Sequence, residues 1–273
     1  MSLGYQDSIG DDFSFNTSIN VTTINNEVLE VNNETGFSSG GSFGIGQADP
    51  SRFEEGFPIG YFRGLETDGL FQSQAEIAAS SQPDAVPGDI RFVDQDGDGV
   101  IDVDADGVEL GDPIPDVTLG YNLSMEYKNF DFSLYAFASI GNDIVRNFER
   151  FEPLTNRTTS FLDRYTGPGT SNSVPLVSTA SSQNILFSDF FVEDGSFLRL
   201  QTIQLGYTFK EVFNQALNVD SLRIYGSVSN AFTLTNYSGF DPTISSGSAV
   251  GAGIDSGNYP TPRSFLLGIN LNF

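Results

Sequence analysis

A chain of 273 residues with 38% hydrophobic side chains has material for one large domain or two ordinary ones. Its 36 acidic against 12 basic residues leave a net charge of −24, which argues against nucleic acid as a partner, since that binding rests on phosphate neutralisation by Lys and Arg. Cysteine and histidine are both absent, removing disulfides, thiolate metal sites, His-dependent nucleophiles and the usual zinc enzymes, so carboxylate pairs are the main catalytic option left.

No run approaches the roughly 18 apolar residues of a membrane helix, so any crossing of a bilayer must use alternating strands. Residues 1–25 carry no positive n-region followed by an apolar stretch, and the expectation is the rear part of a longer polypeptide. A strand stub is predicted at Leu3–Tyr5. A full strand follows at Phe13–Thr23, with Phe13, Phe15, Ile19 and Val21 on its apolar side.

Residues 25–115 are rich in Gly, Ser, Asn and Asp and are expected to be a long loop region. Within it, Asp94-Gln-Asp-Gly-Asp-Gly-Val-Ile-Asp102 sets carboxylates at positions one, three, five and nine of an EF-hand-type loop, with Gly99 at six and the Val100 carbonyl at seven. Position twelve is Ala105, so Asp104 or Asp106 must supply the last ligand. The expected calcium set is Asp94, Asp96, Asp98, Val100, Asp102 and Asp104. The alternative is a solvated Asp/Gly turn whose side chains bond their own backbone.

From Val117 the alternation is regular. Val117, Leu119, Tyr121, Leu123, Met125 and Tyr127 share one side, while Asn122, Ser124 and Glu126 lie on the other. Phe130, Phe132, Leu134, Ala136, Ala138 and Ile140 repeat the pattern after Lys128-Asn129, with Asp131, Ser133 and Tyr135 opposite. A two-residue turn sets Tyr127 and Phe130 face to face, so the two apolar sides merge.

Further strands are predicted near Phe197–Phe209, with Ile203, Leu205, Tyr207 and Phe209 outward, at Leu222–Phe232, and at the C-terminus. In the last, Phe265, Leu267, Ile269, Leu271 and Phe273 alternate with small or polar residues and form the expected membrane-insertion signal. Short joins after Tyr5, Tyr127 and Phe209 alternate with long ones after Thr23, Ile140 and Phe232, the rhythm of short periplasmic turns and long outside loops.

The reading is all-β: about seven spanning strands from the C-terminal portion of a large antiparallel transmembrane barrel, incomplete without upstream chain. Residues 1–24 supply strands, 25–115 the outer loop region with the acidic loop, and 116–273 the final strands and loops. Asn122, Glu126, Asp131, Ser133 and Tyr135 would line a solute passage, and Tyr165, Tyr237 and Phe240 are loop aromatics able to stack on sugar faces or to pack within loops. The rival binding module is a secreted calcium-dependent β-sandwich with its apolar faces on a second sheet. The enzyme rival, a hydrolase built on Glu193 and Asp194, is poorly placed because adjacent strand residues point to opposite faces.

The blocks Glu55-Gly-Phe-Pro-Ile-Gly-Tyr-Phe62, Thr67-Asp-Gly-Leu-Phe71, Pro87 to Asp102, Gly111-Asp-Pro-Ile-Pro-Asp116, Tyr135 to Asn142, Val192 to Leu200, Leu205-Gly-Tyr207, Asn236-Tyr-Ser-Gly-Phe-Asp-Pro242 and Tyr259-Pro-Thr-Pro-Arg263 are spread from Glu55 to Arg263. In order and spacing they resemble the C-terminal part of SusC/RagA-type TonB-dependent outer-membrane transporters. The resemblance implies a barrel of about 22 strands with a plugged lumen, uptake of glycan or peptide under a SusD-like surface lipoprotein, TonB–ExbB–ExbD acting through the plug region, and contact with outer-membrane lipid. Plug, TonB-contacting segment and more than half the barrel lie outside this sequence, so it is not expected to transport alone.

Overall fold

The computed structural model describes residues 1–44, 48–148, 158–178, 183–210, 220–244 and 248–272. Seven strands make one antiparallel sheet whose spatial order is the chain order: β1 (Ser2–Ile9), β2 (Phe13–Thr23), β3 (Val117–Tyr127), β4 (Phe130–Ile140), β5 (Phe197–Lys210), β6 (Ser221–Thr235) and β7 (Ser264–Asn272). The Lys128-Asn129 turn sets Tyr127 opposite Phe130 and carries the register on to Val117 opposite Ile140. Lys128 takes φ 56°, a left-handed value suited to a tight hairpin.

These registers turn separate alternations into rows that cross the sheet. Phe13, Tyr127, Phe130, Tyr207, Ile224 and Ile269 are successive cross-strand partners. Within this row the rings of Phe130 and Tyr207 meet edge to face at 4.7 Å. Many side chains on the apolar face stay open, Phe265 at 77% and Leu267 at 79% accessibility. A sandwich would cover that face with a second sheet. Among the described residues none does so, which is the condition of a surface suited to lipid.

Two strands run further than the alternation suggested. The Leu3–Tyr5 stub is an eight-residue strand paired along its whole length with β2. Strand β6 continues past Phe232 to Thr235. The register shifts at Gln201, where β5 carries an extra residue against β4, and again where β5 meets β6. Asn230, at φ 53°, lies in the matching irregularity of β6. Strict alternation from Ile203 would send Arg199 outward. The bulge instead puts Leu198 and Leu200 beside Ala138 and Ala136, and Arg199 beside Phe137 and Thr233 on the polar side.

The three long connections fold into a body with its own core. Phe37–Gly40, Ser51–Glu54, Tyr61–Leu65 and Gly107–Gly111 form a four-stranded sheet, and Thr67–Leu70 pairs with Ile90–Phe92. Asp143–Arg146 lies between Val192–Asp194 and Ile254–Asp255, joining the second long connection to the third. A short helix, Gln74–Ala78, starts where Ser73 Oγ accepts from the Glu76 N–H and the Glu76 carboxylate accepts from the Gln72 N–H.

Phe43, Phe62, Val145, Phe187, Phe191 and Ile254 are buried together, drawn from all three connections. Phe43 lies 4.9 Å from Phe187 and 4.8 Å from Phe191 between ring centroids. A second cluster holds Leu65, Leu70, Ile90, Phe92 and Tyr165. Burying each of the larger side chains contributes roughly 1.5–3 kcal/mol, so residues 25–115, expected only as a loop region, are part of a packed unit.

Candidate functional site

The polar side of the sheet collects the residues expected to line a passage. Asn122 reaches Ser18 Oγ across β2 and β3 at 3.4 Å. Asp131 on β4 is bound in two places by Arg223 on β6, one of them Nε to Oδ2 at 2.9 Å, although β5 lies between them. Gly206 makes this bridge possible, because a Cβ at that position would collide with the Asp131 carboxylate and crowd the Arg223 guanidinium. Ser133 and Tyr135 lie further along β4 on the same side, opposite Gln204 and Thr202. At the short-turn end a recess of about 450 Å³ opens among Ser8, Asp12, Ser14, Glu126, Lys128 and Lys210.

At the long-loop end, Arg199 holds the third connection against the wall. Its Nε donates to Thr233 Oγ1 at 2.8 Å, and its terminal nitrogens to Asp241 Oδ1 at 2.6 Å and Thr243 Oγ1 at 3.1 Å. Asp241 also accepts from the Thr243 and Thr261 N–H groups. Burial works to raise the Asp241 pKa, but the bonds from Thr243, Thr261 and Arg199 outweigh it and hold the carboxyl well below its ordinary range.

Two of the three loop aromatics pack inward. Tyr165 is buried in the second cluster, and Tyr237 is buried with its hydroxyl on Asp255 Oδ2 at 2.7 Å. Burial and then this bond to Asp255 push the Tyr237 phenol far above its usual value. Neither ring offers a face for stacking. Phe240 remains open, with Phe148 6.2 Å away. Glu193 accepts from the Ser238 N–H and hydroxyl and pairs with Arg146 at 3.4 Å, which makes it part of the scaffold.

The acidic loop folds on its own carboxylates. Asp94 accepts from Gly97 N–H at 2.7 Å, Gly99 N–H at 2.9 Å and Ser81 Oγ at 2.7 Å, and the Ser81 bond leads in lowering its pKa. Gly97 and Gly99 stand at φ 74° and 85°, which keeps the turn tight at little steric cost. Oxygens of Asp94, Asp96 and Asp106 all lie within 4.8 Å of one another. Of the two residues the sequence offered for the end of the loop, Asp104 and Asp106, it is Asp106 whose carboxylate lies with Asp94 and Asp96. It is buried, accepting from the Gln95 and Asp102 N–H groups.

The other expected carboxylates stand outside that group. Asp98 accepts from Val100 N–H and Asp102 from Asp104 N–H, while Asp104 pairs with Arg52 at 3.5 Å. On the terminal strand Phe265, Leu267, Ile269 and Leu271 are exposed on the apolar face, opposite Val228, Gly226, Ile224 and Leu222. Phe273 lies outside the described residues.

No family model matches the chain. It is 31% identical over its whole length to TonB-dependent receptor P3 of Formosa agariphila and spans 28% of that protein. To TonB-dependent receptor SusC of Bacteroides thetaiotaomicron it is 35% identical over 67% of its own length and 17% of SusC. The solved RagAB peptide transporter aligns with all of the chain at a TM-score of 0.74 and 21% identity, the match covering 28% of the solved chain.

The sheet, apolar on one side and polar on the other with its long connections gathered at one end, is a section of transmembrane barrel wall. Over its whole length the chain is homologous to TonB-dependent receptors of the SusC/RagA kind.

Proposed function

We propose that this segment forms wall and outer mouth of an outer-membrane receptor that imports a hydrophilic solute, an oligosaccharide or a peptide, received under a SusD-like surface lipoprotein. The observation that carries this reading is the two-sided sheet: rows of open apolar side chains on one face, and on the other Asn122, Glu126, Asp131, Ser133 and Tyr135. Outer-membrane lipid covers the first face. The second offers hydrogen bonds that replace water around a passing solute. Work is supplied by TonB–ExbB–ExbD through a plug in the rest of the polypeptide.

The acidic loop belongs to the same reading as a calcium site that fixes the outer loops. Three convergent carboxylates support it, since calcium takes oxygen ligands from flexible loops. Asp94, Asp96 and Asp106 would hold the ion, with the remaining positions filled by water.

A strain lacking the full-length receptor should lose uptake of labelled oligosaccharide or peptide, and the receptor should fractionate with the outer membrane together with a surface lipoprotein. Undiminished uptake, or a receptor recovered in the water-soluble fraction, would overturn the proposal.

A further inference from the structure

We propose that Asp143 is a protonation-controlled clasp at the root of the outer loop body, drawing the first and second long connections together in mild acid and loosening them as it ionises. This goes beyond the transport reading and does not depend on it.

All three connections meet at residues 141–146. The Asp143 N–H donates to the Asp112 carbonyl at 2.7 Å, and the Asp112 N–H donates to Asp143 Oδ2 at 3.3 Å. Gly111 admits the approach, because a Cβ there would strike the Asp143 carboxylate. In the second connection Asp143 stands opposite Asp194, and Gly195 N–H donates to the Asn142 carbonyl at 2.8 Å. In the third, the Gly253 carbonyl accepts from the Val145 N–H at 2.8 Å.

The titratable groups facing Asp143 are all acids: Asp112 and Asp116 from the first connection and Asp194 from the second, with Glu109 behind Asp112. Among the described residues no Lys or Arg forms an ion pair with any of these five. Burial raises the Asp143 carboxyl most; the Asp112 N–H works the other way, and the charges of Asp112, Asp194 and Asp116 add to the rise, pushing it up to about 6.

The sign follows from which state holds the proton. A carboxyl at about 6 when clasped and near its ordinary 3.8 when opened keeps a proton in the clasped state that the opened state has lost. Closing is therefore favoured as pH falls through about 6, gains little more below 3.8, and is disfavoured once the group ionises.

The test is hydrogen exchange on the full-length receptor in detergent, corrected for intrinsic rates, at pH 5 and pH 7. The opening constant of residues 111–116 and 141–146 should fall by up to about tenfold at pH 5, while the strand Ile90–Phe92 stays unchanged. Asp143→Asn should hold acid-like protection at both pH values. A wild type with no pH response at these residues, or an Asp143→Asn variant that keeps the wild-type response, would overturn the clasp. If Asp143→Asn does not fold, Asp194→Asn serves: its midpoint should fall, and an unmoved midpoint counts equally against the proposal.

Discussion

Leu267 in the terminal strand is 79% accessible, whereas Phe62 in the loop body is fully enclosed. Both sit in short β segments and both are large and apolar. They differ in what lies beyond them: the sheet presents its side chains to the surroundings in rows, and the loop body turns them on one another. One polypeptide thus meets two apolar environments, one that it builds and one that it borrows from a bilayer. Low overall hydropathy is compatible with a membrane wall, since its period-two strands turn only every other residue to the lipid.

The largest separation of the two regions should come from Phe191→Ala. Removing a ring that packs on Phe43 and Phe190 should cost the loop body about 3–5 kcal/mol. Limited proteolysis of the full-length receptor in outer membranes should then cut the long connections while the strands stay protected. Equal cleavage of wild type and variant would mean that the cluster does not hold the body together.

Leu134→Arg tests the other side. An Arg in the middle of a lipid-facing strand costs about 2–4 kcal/mol, so insertion should fall, read as loss of the heat-modifiable band on gels. Ser133→Arg, on the polar face one residue away, should insert nearly as well as wild type. If both substitutions behave alike, the assignment of the two faces fails.

The smallest effect concerns the acidic loop. A calcium ion at ten times its dissociation constant would stabilise the fold by about 1.4 kcal/mol. The loop-body melting transition of the receptor should rise with added calcium, and Asp94→Asn should abolish the rise. A transition indifferent to calcium in the wild type would leave the loop as an Asp/Gly turn satisfied by its own backbone.

The wall was legible because its strands pair in chain order and its period is two. Lys128-Asn129 fixed one register, and β2 and β3 matched without slippage from Phe13–Tyr127 to Thr23–Val117. Alternation misleads where the period breaks. Gln201 reverses the sense of β5 toward its start, so Arg199, which reads as outward, is the anchor of the third connection.

The loop body was illegible for a different reason. Phe43 finds Phe187 and Phe191 across long stretches of chain, and nothing in the local pattern around Phe43 announces them. The acidic loop was half legible. Glycine spacing marked its turn, but nothing local in the sequence shows that the Asp106 carboxylate lies with those of Asp94 and Asp96 while Asp104 pairs with Arg52 on a distant strand.

The bridge from Asp131 to Arg223 over Gly206 carries a mechanical consequence. Backbone ladders alone tolerate a two-residue slide, because every side chain keeps its face. Here a slide of β5 would bring Gln204 or Thr208 under the guanidinium, and either side chain would wedge the two charges apart. A single missing methyl thus acts as an alignment notch, and only the native stagger of three neighbouring ribbons lets the charges meet.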